Sequence, residues 1–111
     1  MESSIRPKAR PAPQQVHFTR QELDQILGLY GVFVASGDWK DYAIDGLSDR
    51  AVFSVFRRAS EAPLYRIEKQ PKLRTKQGAY SVVAMGGQIL KRGHDLGAVL
   101  KVFDRQKLKL V

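Results

Sequence analysis

Behind one capped helix, this chain consists of five short β-rich runs separated by turn-forming residues. The runs cover residues 39–45, 51–58, 64–69, 80–85 and 88–92, and β-branched and aromatic side chains are concentrated in them. Because consecutive strands joined by short turns pair antiparallel, this spacing predicts a meander. The fold class expected is therefore α+β: an antiparallel β-meander of about five strands with an N-terminal and a C-terminal helix packed on it.

The first helix has the clearest local signals. Thr19 at the N-cap and Glu22 three residues later form a capping box, and Phe18 and Leu23 form a hydrophobic staple around it. The two glycines inside the helix are expected to permit close packing against the sheet. Helical spacing predicts one apolar face made of Leu23, Ile26, Leu27, Tyr30 and Phe33 or Val34.

A second helix is expected to open at Gly93-His94-Asp95. Its buried face is predicted at i, i+3, i+4 and i+7, namely Leu96, Val99, Leu100 and Phe103. The alternating end, residues 107–111, is compatible with an edge strand. If both helices lie on one face of the sheet, the second apolar face of residues 51–58 stays open, which favours a homodimer through the sheet.

Charge is distributed along the chain in blocks. Residues 1–20 carry a net +3, residues 21–50 a net −4 and residues 51–111 a net +9, which together give the formal charge of +8. Residues 1–15 contain three prolines between basic residues and are interpreted as a flexible basic Pro-rich arm, followed by a single α+β domain at 16–111. Such a basic domain is typical of proteins that bind a polyanion or an acidic partner.

Basic residues in or beside the later strands give the main functional hypothesis, a non-enzymatic protein that binds DNA or RNA through phosphate contacts. Tyr65 and Tyr80 lie among these residues, where aromatic rings either stack on bases or belong to the core; we favour the core. The predicted nucleic-acid-binding residues are Arg57, Arg58, Lys69, Lys72, Arg74, Lys76, Lys91 and Arg92.

Two other functions remain open. In the first, the domain is a protein–protein adaptor or homo-oligomer, in which the acidic segment of one copy meets a basic block of another. In the second, the carboxylates of segment 38–49, chiefly Asp41 and Asp45, bind a cation in a metal- or phosphate-ester-handling enzyme. The spacing fits no EF-hand, so we favour solvated turn carboxylates instead.

The remaining chemistry points away from catalysis. The chain has no cysteine, which excludes thiolate metal sites and thiol nucleophiles. It has two histidines, His17 and His94, and no glycine-rich phosphate-binding fingerprint. We therefore expect no enzymatic activity, no catalytic or metal-ligating residue and no cofactor.

The expected location is the cytoplasm, without contact with a membrane. The N-terminal residues lack the apolar core of a signal peptide. No run of about 18 apolar residues, the length a membrane-spanning helix requires, occurs in the chain.

Several segments resemble a known family. They are Asp41-Tyr-Ala-Ile-Asp45, Ala51-Val-Phe-Ser-Val-Phe-Arg-Arg58, Pro63-Leu-Tyr-Arg-Ile-Glu-Lys69, Gln77-Gly-Ala-Tyr80 and Gly87-Gln-Ile-Leu-Lys-Arg-Gly93. Over roughly residues 18–111 the chain resembles an uncharacterised alphaproteobacterial domain-of-unknown-function family. The resemblance implies a small cytoplasmic bacterial protein and carries over no catalytic or binding residues.

Overall fold

The helices and strands follow the predicted order. A computed structural model describes residues 14–58 and 61–108. The strands pair antiparallel with their neighbours in chain order, so the predicted α+β meander is confirmed. The elements are α1 (Arg20–Ala35), β1 (Asp41–Gly46), β2 (Ala51–Phe56), β3 (Tyr65–Lys69), β4 (Tyr80–Ala84), β5 (Ile89–Gly93), α2 (Leu96–Leu100) and α3 (Asp104–Leu108), with 3₁₀ turns at Pro71–Leu73 and Lys101–Phe103.

The chain ends are described only in part. Residues 1–13, most of the expected basic arm, lie outside the described residues, so the division at residue 15 stays a prediction. The final edge strand predicted for residues 107–111 is wrong for Lys107 and Leu108, which belong to α3. Lys107 pairs with Asp104 at 3.3 Å, one helical turn away. Residues 109–111 lie outside the described part.

Helix α1 begins as predicted but buries a different stripe. Thr19 Oγ1 accepts a hydrogen bond from the backbone N–H of Glu22 (3.1 Å), and Glu22 Oε1 accepts one from the backbone N–H of Thr19 (2.7 Å). The capping box is therefore present. Ile26 and Phe33 are buried as expected, but the third buried apolar residue is Leu29. The predicted face was wrong at Leu27, which is exposed, and of the two alternatives Phe33 and Val34 the buried one is Phe33.

The glycines of α1 do not serve close packing. A Cβ atom built at Gly28 or at Gly31 would meet no atom within 4 Å, so the expectation of close packing at these positions is wrong. The helix approaches the sheet with its larger side chains instead.

Helix α1, α2 and the turn after α2 pack on one face of the sheet. Side chains of α1, α2 and the turn after α2 join the alternate residues Phe53, Val55, Ile67 and Val82 in one core. Trp39 lies at its centre: its ring stacks on Phe33 with centroids 4.5 Å apart and meets the Phe103 ring edge-on at 5.3 Å. The predicted burial of Leu96, Val99, Leu100 and Phe103 is confirmed.

Gly78 is required where the β3–β4 loop returns to the sheet, and Gly78→Ala should destabilise the fold. Its φ is +103°, and a Cβ atom there would lie 2.7 Å from the Cα of Gly93 and still closer to the Gly93 carbonyl group. We expect a loss of roughly 1–3 kcal/mol from the left-handed backbone, with the clash adding to it. Chemical unfolding measures the loss. Gly28→Ala is the matched control, and it should be neutral or stabilise, since that site is helical and open.

Candidate nucleic-acid interface

The second face of the sheet is not covered by α1 or α2. Antiparallel partners share a face, so the register places one row of side chains across it, which contains Asp45, Val52, Glu68, Ser81 and Arg92. None of these residues belongs to the core cluster. We call this surface the open face because neither helix covers it, although Val52, Glu68 and Ser81 at its centre are each at most 7% exposed.

A buried carboxylate occupies the middle of the open face. Glu68 Oε1 accepts from Arg50 Nη1 at 2.9 Å, and Glu68 Oε2 accepts from Arg66 Nε at 3.1 Å. The Glu68 side chain is only 6% exposed. A buried carboxylate is costly unless it is paired, and these two charge-assisted hydrogen bonds supply the pairing. The guanidinium groups of Arg50 and Arg66 are thus both bound by Glu68 within the domain.

Arg50 also forms an ion pair with Asp49 in the turn before β2. Its Nη2 lies 3.1 Å from Asp49 Oδ2. The hydrogen bond from Arg50 is the main reason that the pKa of Asp49 is lowered, and the nearby charge of Lys72 adds to the effect. Chiefly through the same hydrogen bond to Asp49, the pKa of Arg50 is raised. Asp49 and Glu68, the carboxylates at this end of the sheet, are therefore both paired with Arg50.

Arg92, next to Ser81 in the same row, has no carboxylate partner within the described residues. Its Nη1 has one hydrogen bond, a long one of 3.4 Å to Gln70 Oε1. The hydroxyl of Ser81 is fully buried and finds no hydrogen-bond partner among the described atoms. Arg92 thus carries a positive charge that the described fold leaves uncompensated.

The β3–β4 loop presents three more cations at the same end of the sheet. The loop begins with Pro71, which suits the first position of its 3₁₀ turn. The carbonyl of Leu73 accepts from the backbone N–H groups of Lys76, Gln77 and Gly78, at 3.0, 3.0 and 2.8 Å, and so fixes the turn. The exposed basic side chains of the loop are Lys72, Arg74 and Lys76. Together with Arg92 we call them the basic end.

The other four predicted residues lie elsewhere. Arg57 and Arg58 follow β2 at the opposite end of the sheet, about 17 Å away if each strand residue spans about 3.3 Å. Lys91 is exposed on edge strand β5 and pairs with Val82, so its side chain is on the helix side. Lys69 lies beneath α1, where its Nζ donates to Glu22 Oε1 and to the His17 carbonyl, both at 2.9 Å.

Both tyrosines near the basic residues pack with the core, as favoured above. Tyr65 and Tyr80 are on the helix-covered face and pack against the core cluster. The Tyr65 hydroxyl accepts from Gln106 Nε2 at 2.9 Å, and the Tyr80 hydroxyl donates to Glu22 Oε2. Their rings are therefore not available to stack on bases.

Three carboxylates of the acidic segment, those of Asp38, Asp41 and Asp49, are bonded to groups close in sequence. Asp38 accepts from Ser36 Oγ at 2.8 Å, and Asp41 accepts from the backbone N–H of Tyr42 at 2.8 Å. Within residues 14–58 and 61–108, no group of three or more histidine or acidic side chains is placed to hold a metal ion. Asp95 caps α2 by accepting from Ala98 N at 2.8 Å, next to an exposed His94.

The family model described as a protein of unknown function (DUF2794) matches residues 16–100. The chain belongs to the DUF2794 family. The matched part of this DUF2794 domain runs from the segment before α1 to the end of α2, and it includes the whole sheet and the basic end. Comparison with curated proteins and with solved structures gives no match. In the described part of this DUF2794 domain, no helix has the length and apolar character needed to cross a membrane.

Proposed function

We propose that this domain is a non-enzymatic nucleic-acid-binding protein that contacts phosphates through its basic end. The observation that carries the proposal is the grouping of Lys72, Arg74, Lys76 and Arg92 at one end of the sheet, with no ion pair among the described residues. Arginine and lysine side chains of this kind make most phosphate contacts in nucleic-acid complexes. The fixed turn around Leu73 holds three of them on a short, ordered loop.

The same geometry favours binding with little sequence discrimination. Tyr65 and Tyr80 belong to the core, so the contacts left to the basic end are electrostatic ones to the backbone. DNA and RNA both present such phosphates, and affinity should therefore follow the density of phosphate charge more than base sequence. The cytoplasm is the location that we propose for this binding.

Neutralising the loop should weaken binding and flatten its salt dependence. Four phosphate contacts on B-DNA give a log–log salt slope of about −3.6, and the variant Lys72→Gln/Arg74→Gln/Lys76→Gln should retain about −0.9. The affinity should fall roughly 100-fold near physiological salt. Fluorescence anisotropy with labelled duplex DNA, duplex RNA and single-stranded RNA over a salt series measures both quantities.

The matched control removes the same charge from other surfaces. Arg57→Gln/Arg58→Gln/Lys101→Gln also removes three exposed positive charges, but none of them lies at the basic end. It should leave the salt slope near the wild-type value. Equal weakening by both triple variants would reduce the effect to net charge, and an absence of binding by the wild type at low salt would end the proposal.

A homodimer through the open face has weaker support. The residues at its centre, Val52, Ser54, Ser81 and Val83, are already buried in the single chain. Most of the exposed apolar side chains are found at the two edges of the sheet and on α1 instead. Self-association of this domain therefore has to be sought at the edges of the sheet.

A further inference from the structure

The two edges of the sheet carry opposite charges. Edge strand β1 contains Asp41 and Asp45, and the turns on either side of it contain Asp38 and Asp49. The opposite edge, β5, contains Lys91 and Arg92. The acidic block and part of the basic block of the sequence are thus separated across the width of five strands.

Both edges also expose large apolar side chains. Six such residues are between 41% and 56% exposed: Tyr42, Ile44 and Leu47 at the β1 edge, and Met85, Ile89 and Leu90 at the β5 edge. Met85 lies in a shallow depression together with Arg57, Arg58 and Glu61. Each edge therefore combines an apolar strip with charges of a single predominant sign.

The apolar strip of β1 continues onto α1. Tyr30 contacts the ring of Tyr42 edge-on, with centroids 4.9 Å apart. Leu27 and Val34, three residues before and four residues after Tyr30, are exposed on the same side of the helix. Residues 25–37 contain no charged side chain, and a helix segment without charges is normally covered by other protein.

We propose that the β1 edge of one copy binds the β5 edge of a second copy, head to tail. This arrangement joins apolar strip to apolar strip and acidic side chains to basic ones. A two-fold contact of β1 with β1 would bring Asp41 and Asp45 against their own copies, and β5 with β5 would do the same to Lys91 and Arg92. Head-to-tail contacts do not close at two subunits, so longer chains or rings follow.

Side chains supply most of the proposed contact. The backbone N–H of Tyr42 is already bonded to Asp41, and the carbonyl of Leu47 accepts from the Val16 N–H at 2.8 Å. On the other edge, the register of β5 shifts between Val82 and Val83 of its neighbour. These features prevent a long continuous ladder between copies, as protected edges do in other sheets.

The test uses one blocked edge at a time, with mass measured by sedimentation velocity over a range of protein and salt concentrations. Wild type should grow beyond a monomer as concentration rises, and less so at high salt. Ile44→Lys should block the β1 edge and Leu90→Lys the β5 edge, each raising the apparent Kd about tenfold or more. An equimolar mixture of the two variants should form a 1:1 dimer that grows no further, because it contains one intact edge of each kind.

Controls separate this proposal from its alternatives. Val32→Lys adds the same charge at an exposed apolar position of α1 that faces α2 and α3, and it should not change the mass. Circular dichroism checks that all variants are folded. Monomeric wild type at every concentration overturns the proposal. The proposal is also overturned if only one of the two variants weakens association while the other associates like wild type, because that pattern indicates a two-fold dimer through a single edge. Association that neither variant changes indicates another face and overturns it as well.

Discussion

Trp39→Ala should cost about 3–5 kcal/mol of folding free energy, the range measured for truncating large buried aromatic residues. Trp39 is 2% exposed and lies where α1, the sheet and the C-terminal turn meet. Its ring contacts the rings of Phe33, Phe103 and Tyr65, so the truncation removes contacts from three parts of the chain at once. A domain of this size is normally stable by only about 5–15 kcal/mol, and the variant should therefore be close to unfolding.

Urea unfolding followed by circular dichroism measures this loss. Trp39→Phe is the informative control, because it keeps an aromatic ring against Phe33 and should cost less than Trp39→Ala. An exposed apolar residue, Val32, provides the second comparison, and Val32→Ala should change stability by less than about 0.5 kcal/mol. A loss below about 1 kcal/mol for Trp39→Ala would show that this ring is not central to the core.

Local patterns predicted the order of the elements. Turn-forming residues separate the runs, and the alternation of side chains along a strand accounts for the position of Arg66 and Glu68 on the face opposite Tyr65 and Ile67. No local pattern singles out Trp39 as the largest fully buried side chain. It stands outside the strand, between the end of α1 and Asp41, so its burial depends on packing between elements distant in sequence.

The helix stripe shows why an amphipathic pattern can be ambiguous. Apolar residues of α1 spread over more than one side, and spacing alone fits a face with Leu27 or a face with Leu29. The choice is made by the position of the helix over the sheet, which turns Leu29 into the core and leaves Leu27 exposed. The remaining stripe is the one that we assign to a second copy.

The sequence predicted which basic residues are candidates for the site, but not which of them lie close together in the fold. Eight basic residues were expected to act together, and four of them form the basic end. For Lys69, strand alternation already indicates a position outside the site, because it puts Lys69 on the same face as Ile67, beneath the helices. Its partner, 47 residues earlier in the chain, could not be foreseen, because that pairing depends on where α1 crosses the sheet.

Glu22→Ala should be the second strongly destabilising change, with an expected loss of about 3 kcal/mol or more. The Glu22 side chain is 11% exposed and the Lys69 side chain 16% exposed. One carboxylate group accepts from the Thr19 N–H, from Lys69 and from the Tyr80 hydroxyl, and it thereby ties the start of α1 to β3 and β4. Removing it leaves the Lys69 charge buried without its partner, which is the costly way to break such a pair.

The contribution of the Glu22 carboxylate can be measured through the pH dependence of stability. Burial alone would raise the pKa of Glu22, but hydrogen bonds from Tyr80, Lys69 and Thr19 and the charge of Lys69 outweigh it, and the pKa is lowered. Stability from a lowered carboxyl pKa is present above the pKa of the unfolded chain and is lost as pH falls through the folded pKa. Glu22→Gln should therefore be less stable near neutral pH and should lose less stability than wild type during acidification.

The titration of Tyr80 at alkaline pH tests the contact between Tyr80 and Glu22 independently. Burial, followed by the hydrogen bond to Glu22 and its charge, raises the pKa of Tyr80 to about 12. The stability linked to this shift is present below about pH 10, the ordinary tyrosine pKa, and is lost as pH rises towards 12. In folded Glu22→Gln the tyrosinate absorbance of Tyr80 should appear at lower pH, with Tyr80→Phe identifying its signal. An unchanged tyrosine titration together with an unchanged acid limb would show that Glu22 acts only as the cap of α1.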